Sequence, residues 1–346
     1  MESRLGFDKL QKEVISTKLC TRCGACVTIC PVKVLSMEKG EPEPIGECTN
    51  CGLCLRSCPR YKSPFVEAEQ FIFGRQREPE ENSGIYKKAS VARSADDEIL
   101  KTAQDGGVVT TLLASALESG HIDGAIVSKI DPENPWKPLP FFAKTRDELI
   151  GSAGTRYTLS TGLPLLKNSI SAGYAKIGFV GTPCQILAAR MIQKSLPKYG
   201  KCLALTVGLF CSEEFYYDTL MIKKIQNELG INLNDIEKLN IKGKFLIQMK
   251  NREVKDIPLK ELTKLAMPSC NTCPDFSSEL ADISCGGVGL KGWTYTITRT
   301  DAGITVYEDA VKKGMILEEP VEKFSIPTKI MNKLSNEKRK RILNIK

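Results

Sequence analysis

Beyond about residue 88 the chain alternates short β-branched apolar runs with longer stretches of helical period. "ASVARS" and "IDGAIVSKI" have the length and composition of strands. Between them, "DGGVVTTLLASALESG" places Val108, Val109, Leu112, Leu113, Ala116 and Leu117 on one face of a helix entered through Gly106 and Gly107 and stopped at Gly120. "KIGFVGTPCQ" and "CLALTVGLFCS" are apolar runs of strand length, and "ILAARMIQKSLPKYG" between them reads as helix. The pattern predicts a β-α-β unit with Cys184 and Cys211 at the ends of its strands, where ligands bind in open α/β sheets. A charged helical stretch is expected around residues 213–240. "WTYTITRTDAGITVYED" alternates about Asp301-Ala302-Gly303 and predicts a β-hairpin. The fold class expected is an α/β domain, a mixed sheet with flanking helices, over residues 88–326.

Ahead of it, residues 1–62 hold a spacing repeat, described below. "YKSPFVEAEQFIFGRQREPEENSG" follows without a clean period, so residues 63–87 are expected to form a linker wrapping onto the next domain. Residues 327–346 form a basic tail, expected to be a solvated helix end or a docking segment for a partner or an anionic surface.

Composition narrows the class. At 346 residues, 42% hydrophobic and 26% charged, the chain is an ordinary globular protein of two or three domains. No apolar run reaches the roughly 18 residues of a spanning helix. The start, "MESRLGFDKLQKEV", lacks the apolar core of a secretory signal, so a cytoplasmic location is expected. The net charge of +8 favours anionic partners. His121, the single histidine, is expected to be a strand-entry residue rather than an acid-base group.

The fourteen cysteines change the picture most. "CTRCGACVTICP" (20–31) and "CTNCGLCLRSCP" (48–59) share the spacing C-x2-C-x2-C-x3-C-P. Three thiols of such a loop wrap one cubane, and the fourth leaves the loop to reach the other. The rule assigns Cys20, Cys23, Cys26 and Cys58 to one [4Fe-4S] cluster and Cys48, Cys51, Cys54 and Cys30 to a second, in a ferredoxin-like α+β module. Structural zinc has no use for the third thiol or the C-P ending. Cys184, Cys211, Cys270 and Cys273 form a plausible third tetrathiolate site, with Cys285 a possible fifth contributor; isolated buried thiols, or a Cys270/Cys273 redox pair, are the alternatives. Cys202 reads as a buried small hydrophobe.

Gly287, Gly289 and Gly292 match a dinucleotide fingerprint, but strand-like "WTYTITRT" follows where a helix is required, so a turn is expected there. Gly106 and Gly107 have the better phosphate context, at a positive helix end.

"QDGGVVTTLL", "GSAGTRYT", "GTPCQI", "VGLFCSE", "CNTCPDFSSELADIS" and "GWTYTITRT", in this order, resemble the family of coenzyme F420 hydrogenase/dehydrogenase beta subunits over roughly residues 88–300. The resemblance implies an oxidoreductase that binds FAD, exchanges a hydride with coenzyme F420, and holds a third [4Fe-4S] cluster on Cys184, Cys211, Cys270 and Cys273. It points to Gly106, Gly107, Val108 and Thr110, with Thr155, Arg156 and Tyr157, as FAD contacts; a surface salt bridge is the alternative for Arg156. The fused two-cluster module implies that reduced F420 is oxidised and single electrons leave through the clusters. The receiver would be a membrane-bound complex I-like dehydrogenase of methanogenic archaea, with methanophenazine or quinone as final acceptor and peripheral attachment to the cytoplasmic face. Alternatives are a soluble ferredoxin:F420 oxidoreductase, a beta subunit of an F420-linked hydrogenase or formate dehydrogenase, and a flavin-free electron-transfer subunit. No nucleic-acid partner is expected. The physics agrees: hydride carries two electrons and a cubane accepts one, so a flavin belongs between them.

Overall fold

A computed structural model describes residues 6–341; the first five residues and the last five of the basic tail lie outside it. The first strands, β1 (Leu35–Ser36) and β2 (Glu43–Pro44), form a small antiparallel ribbon between the two cysteine loops. The main sheet has eight strands. They are β3 (Lys88–Ser94), β4 (Gly124–Ile130), β5 (Pro138–Ala143), β6 (Ile177–Gly181) and β7 (Leu203–Leu209), then β11 (Ile283–Gly286), β12 (Thr294–Thr298) and β13 (Ile316–Pro320). Between β7 and β11 a separate antiparallel sheet is built from β8 (Ile236–Ile241), β9 (Lys244–Met249) and β10 (Val254–Pro258).

The strand order in the main sheet is β13-β3-β12-β11-β7-β6-β4-β5. Its centre, β4, β6, β7 and β11, is parallel, and both edges are antiparallel. The mixed sheet with flanking helices agrees with the fold class expected. Strand alternation divides the core between the faces. Ile126 and Phe179 pack under helix Pro183–Ser195, while Ala125, Leu205 and Val207 pack under helices Val108–Glu118 and Asp301–Lys312. Helix Val108–Glu118 begins and ends as its pattern predicts, with Gly107 (φ 71°) as its N-cap and Gly120 (φ 66°) just past its end.

The hairpin expected around residue 301 is instead a helix, Asp301–Lys312. Thr300 caps it by accepting from the Gly303 amide, and the buried positions Gly303, Val306, Tyr307 and Ala310 recur at helical spacing. The β-branched side chains of "GITVYEDAV" imitated a strand. The charged stretch 213–240 is helical only in part: helix Asp218–Glu228 is followed by β8. Residues 63–87 carry a helix, Phe65–Phe73, and are held to the main domain by side chains. Arg77 pairs with the buried Glu279 at 2.6 Å, and Arg299, wholly buried, donates to the carbonyls of Ser83 and Ile85. Nor is the tail merely solvated, because helix Ser325–Arg339 buries Pro327, Met331, Ser335 and Lys338.

Candidate redox site

The two cysteine loops fold alike. In each, the residue two past the first cysteine turns left-handed, Arg22 at φ 53° and Asn50 at φ 56°, and its amide donates to that cysteine's sulfur, Cys20 at 3.4 Å and Cys48 at 3.5 Å. Gly24 (φ 80°) and Gly52 (φ 74°) then open short helices, Ala25–Ile29 and Leu53–Arg56. Positive φ is needed at both glycines to aim the third thiol back into the loop.

The fourth cysteines cross over. Cys58 is buried beside Cys20, Cys23 and Cys26, and burial above all, with Cys23 and Cys20 adding, pushes it up to about 12. Cys30 lines a cavity of about 330 Å³ with Cys48, Cys51 and Cys54. Cys51 is exposed and Cys48 half-buried, so this second group faces solvent.

A second thiol-lined cavity, of about 310 Å³, lies at the carboxyl edge of the parallel strands. Thr21, Pro183, Cys184, Cys211, Glu214, Ser269, Cys270, Cys273 and Lys338 line it. Cys184 sits in the first turn of helix Pro183–Ser195, whose N-cap Thr182 forms a capping box with Gln185. Cys211 follows β7 and is fixed by its amide's bond to the Phe276 carbonyl, at 2.9 Å. Cys270 and Cys273 stand on the turn Pro268–Thr272, and the Glu214 amide donates to the Cys270 sulfur at 3.4 Å. Burial pushes Cys270 up to about 11 and raises Cys184 and Cys211 as well, so iron would have to displace their protons to bind. Four thiols lining one cavity and amide-to-sulfur donation suit an iron-sulfur cluster. Among the described residues no three such side chains are drawn close enough for a single metal ion.

Cys285 lies elsewhere. It is buried in β11 within the sheet core, paired across to Thr296 and Leu209. Cys202 ends helix Pro197–Cys202 and packs, half-buried, against the other core.

The thiol groups are physically joined. Thr21, next to Cys20, lines the cavity of the third thiol site. Arg60, two residues past Cys58, donates to the carbonyls of Ser269 and Thr272. The cysteine module is seated by Thr161, which donates to the Arg22 carbonyl, and by Lys167, which donates to that of Cys30. Arg60, Thr161, Lys167, Glu214 and Lys338 escaped the sequence reading because each acts across a long sequence separation.

The segments suggested for a flavin also meet. A Cβ on Gly154 would lie 3.6 Å from the Thr102 carbonyl, which brings residues 154–157 against the loop entering helix Val108–Glu118. Gly106 spends its amide on Thr294 Oγ1, and the Val108 side chain is buried in the core, so neither offers a side chain or that amide to a ligand. Helix Val108–Glu118 has no side-chain cap, leaving first-turn amides, Thr110 among them, for an anion. Arg156 forms no salt bridge among the described residues. Its guanidinium holds the carbonyls of Ser152, Ala153 and Gly154, and burial lowers it to about 10. Arg156 Nε and Thr158 Oγ1 are buried without partners, which fits a polar group docking there. Tyr157 packs edge-on to Phe245 of β9 at 5.3 Å. Asp105, raised by burial, faces Lys242 and Lys238. The same segment is bonded to the third thiol site: Phe215 accepts from Leu159 and donates to the Tyr157 carbonyl.

His121 precedes β4 as expected, with Asp309 3.9 Å away, far from every thiol group described. Among the described residues no helix is long and apolar enough to cross a membrane.

Comparison with known proteins gives three family matches. Residues 89–167 match the N-terminal model and residues 174–323 the C-terminal model of the coenzyme F420 hydrogenase/dehydrogenase beta subunit, and residues 12–59 match a 4Fe-4S dicluster domain. The coenzyme F420 hydrogenase beta subunit of Methanothermobacter thermautotrophicus is 40% identical over 75% of this chain and 93% of that protein. The F subunit of the F(420)H(2) dehydrogenase of Methanosarcina mazei is 31% identical over 89% of this chain and 87% of that one. A chain of the F420-reducing [NiFe] hydrogenase complex from Methanosarcina barkeri superposes with a TM-score of 0.73 at 37% identity, covering 77% of this chain and 93% of its own. The chain therefore belongs to the family of coenzyme F420 hydrogenase/dehydrogenase beta subunits, oxidoreductase components, with a 4Fe-4S dicluster domain preceding the family domain.

Proposed function

We propose that this chain is the electron-input component of a reduced-F420 dehydrogenase, a role like that of its Methanosarcina mazei relative, passing electrons on to a membrane-bound complex. Bound FAD would supply the conversion between a two-electron hydride from reduced F420 and one-electron iron-sulfur carriers. The protein's own part is binding, orientation and spacing. Thr110 and its neighbouring amides, with Thr155, Arg156 and Tyr157, hold the flavin; Arg156 Nε and Thr158 Oγ1 gain partners from it. Cys184, Cys211, Cys270 and Cys273 hold the cluster nearest the flavin. Cys20, Cys23, Cys26 and Cys58 hold the next, and Cys30, Cys48, Cys51 and Cys54 the last, beside the solvent-facing Cys51. The chain's basic charge suits a substrate bearing phosphate and carboxylates.

The observation that carries this reading is Thr21. It adjoins Cys20 and lines the cavity of Cys184, Cys211, Cys270 and Cys273, and this adjacency supports electron transfer between the first thiol group and the third. The match to the F(420)H(2) dehydrogenase chain spans both modules, which favours this assembly over a hydrogenase beta subunit.

The test is anaerobic reduction with cofactor analysis. Protein purified under argon should carry FAD and about twelve irons. Reduced F420 should bleach the flavin band and develop the spectra of reduced clusters. A flavin-free preparation indifferent to reduced F420 would sink the reading, and a preparation that reduces F420 only with ferredoxin, never binding membranes, would favour the soluble alternative.

A further inference from the structure

Cysteine spacing does not call for Lys338, a residue of the cavity that Cys184, Cys211, Cys270 and Cys273 share. It stands in the last turn of helix Ser325–Arg339, beyond residues 174–323 matched by the family model. Its residue is 3% exposed, yet it lines the cavity beside Cys184, Cys211, Cys270 and Cys273. Among the described residues its ammonium has no carboxylate within ion-pair distance and no hydrogen-bond acceptor. The carboxylate lining the same cavity, Glu214, makes no ion pair with it among the described residues.

An ammonium buried without a partner is costly to desolvate. Something must offset that cost. The neighbours acting on Lys338 are sulfurs. Cys184, Cys211, Cys270 and Cys273 line the cavity with it. The chain just past the lysine is fixed as well. Arg339 pairs with the buried Glu279 at 2.7 Å, and Arg341 donates to the Cys270 carbonyl at 2.9 Å. A cation clamped at the edge of a tetrathiolate cavity calls for an anion inside it. A cubane on four thiolates is net negative, and becomes more so by one charge when reduced.

We propose that Lys338 is the charge partner of an iron-sulfur cluster held by Cys184, Cys211, Cys270 and Cys273, and that its ammonium favours the reduced state of that cluster over the oxidised one. The inference rests on the cluster assignment proposed above. The step it biases is the gain of one electron by the cluster, supplied by the reduced flavin. No bond forms or breaks, and the proton stays on Lys338. Lys338 is a positioning residue, acting through its charge on the order in which the carriers fill.

The experiment uses the full chain, purified anaerobically, as Lys338→Gln and Lys338→Arg variants. Redox titration is followed by electron paramagnetic resonance, with iron counted in the same samples. The expected result is that K338Q retains about twelve irons. The midpoint of one cluster should move negative, so that at the wild-type midpoint potential its reduced-to-oxidised ratio falls at least about tenfold. The other two clusters should stay in place, and K338R should restore the midpoint. If K338Q loses about four irons while K338R keeps them, the charge holds the cluster and the inference stands. Loss in both variants assigns Lys338 to packing and overturns it. An unmoved midpoint in a fully loaded K338Q overturns the inference alone. About eight irons in the wild-type chain would overturn the third cluster itself, and the inference with it.

Discussion

The guanidinium of Arg60 donates to the carbonyl of Thr272, 212 residues away, at 3.1 Å. Arg60 follows Cys58-Pro59 and Thr272 precedes Cys273, so this contact ties a ligand-bearing end of the cysteine module to the turn of the third thiol site. Replacing Arg60 by Ala removes the guanidinium from the Thr272 carbonyl and leaves that of Ser269 with the Thr272 hydroxyl as its side-chain donor, at about 1–3 kcal/mol. Iron content should be preserved while electron transfer past the flavin slows. Stopped-flow traces should show flavin bleaching by reduced F420 at the wild-type rate and cluster reduction several-fold slower; equal slowing of both phases would place Arg60 outside the relay.

Cysteine variants separate ligands from core thiols. Cys184→Ala or Cys273→Ala should lower the iron count from about twelve to about eight. Cys285→Ala, in the sheet core rather than the cavity, should retain full iron and lose about 1 kcal/mol of stability. Iron loss in the Cys285 variant would return that thiol to the ligand set.

Gly106 sits where two strands close in. A Cβ there would lie 2.7 Å from the Ala92 carbonyl and 2.9 Å from the Thr294 amide. Both obstacles are backbone and cannot swing aside. Gly106→Ala should cost about 1–3 kcal/mol and displace the start of helix Val108–Glu118. Thermal unfolding and FAD retained after gel filtration measure the two effects, and an unchanged flavin content would count against the helix start as a flavin contact.

Acid stability should depend on Asp282. It accepts from Arg190 at 2.8 Å, from Thr300 at 2.6 Å, and from the amide and hydroxyl of Thr206. Burial pushes its carboxyl up, but Arg190 and the hydroxyls prevail and hold it below the ordinary aspartate value. A depressed folded-state value means the stabilisation is fully present above the ordinary value, about 3.9, and is lost as pH falls through the folded one. Asp282→Asn strands Arg190 in the core at about 3–5 kcal/mol. Chemical denaturation from neutral to acid pH should show a large loss at neutral pH and a flatter acid limb; a constant difference across that range would exclude this pair as the cause.

The thiol groups were legible in the sequence because ligand spacing is local: three sulfurs on one loop must sit at fixed intervals to wrap one cluster. The β-α-β unit was legible for the same reason, its apolar periods belonging to single elements. What escaped was either disguised or distant. Ile304, Thr305 and Val306 are β-branched, and only the burial of Val306, Tyr307 and Ala310 under the sheet makes their segment helical. In β9, Phe245, Ile247 and Met249 alternate cleanly, but the charged residues around them hid a three-stranded sheet. Lys338 reads as one more charge in a basic tail, since nothing within reach along the chain says that Cys270 lies beside it.

The clamp on the turn Pro268–Thr272 has a consequence for how the molecule is made. Arg60 holds that turn from the front of the chain and Arg341 from the back. A ribosome releases the cysteine module first, and its eight thiols can take iron while the rest is still being synthesised. The third site cannot close until residues 338–341 have emerged and docked. The order of synthesis therefore separates the two: the cysteine module is whole long before the turn beside Cys270 is held at both ends.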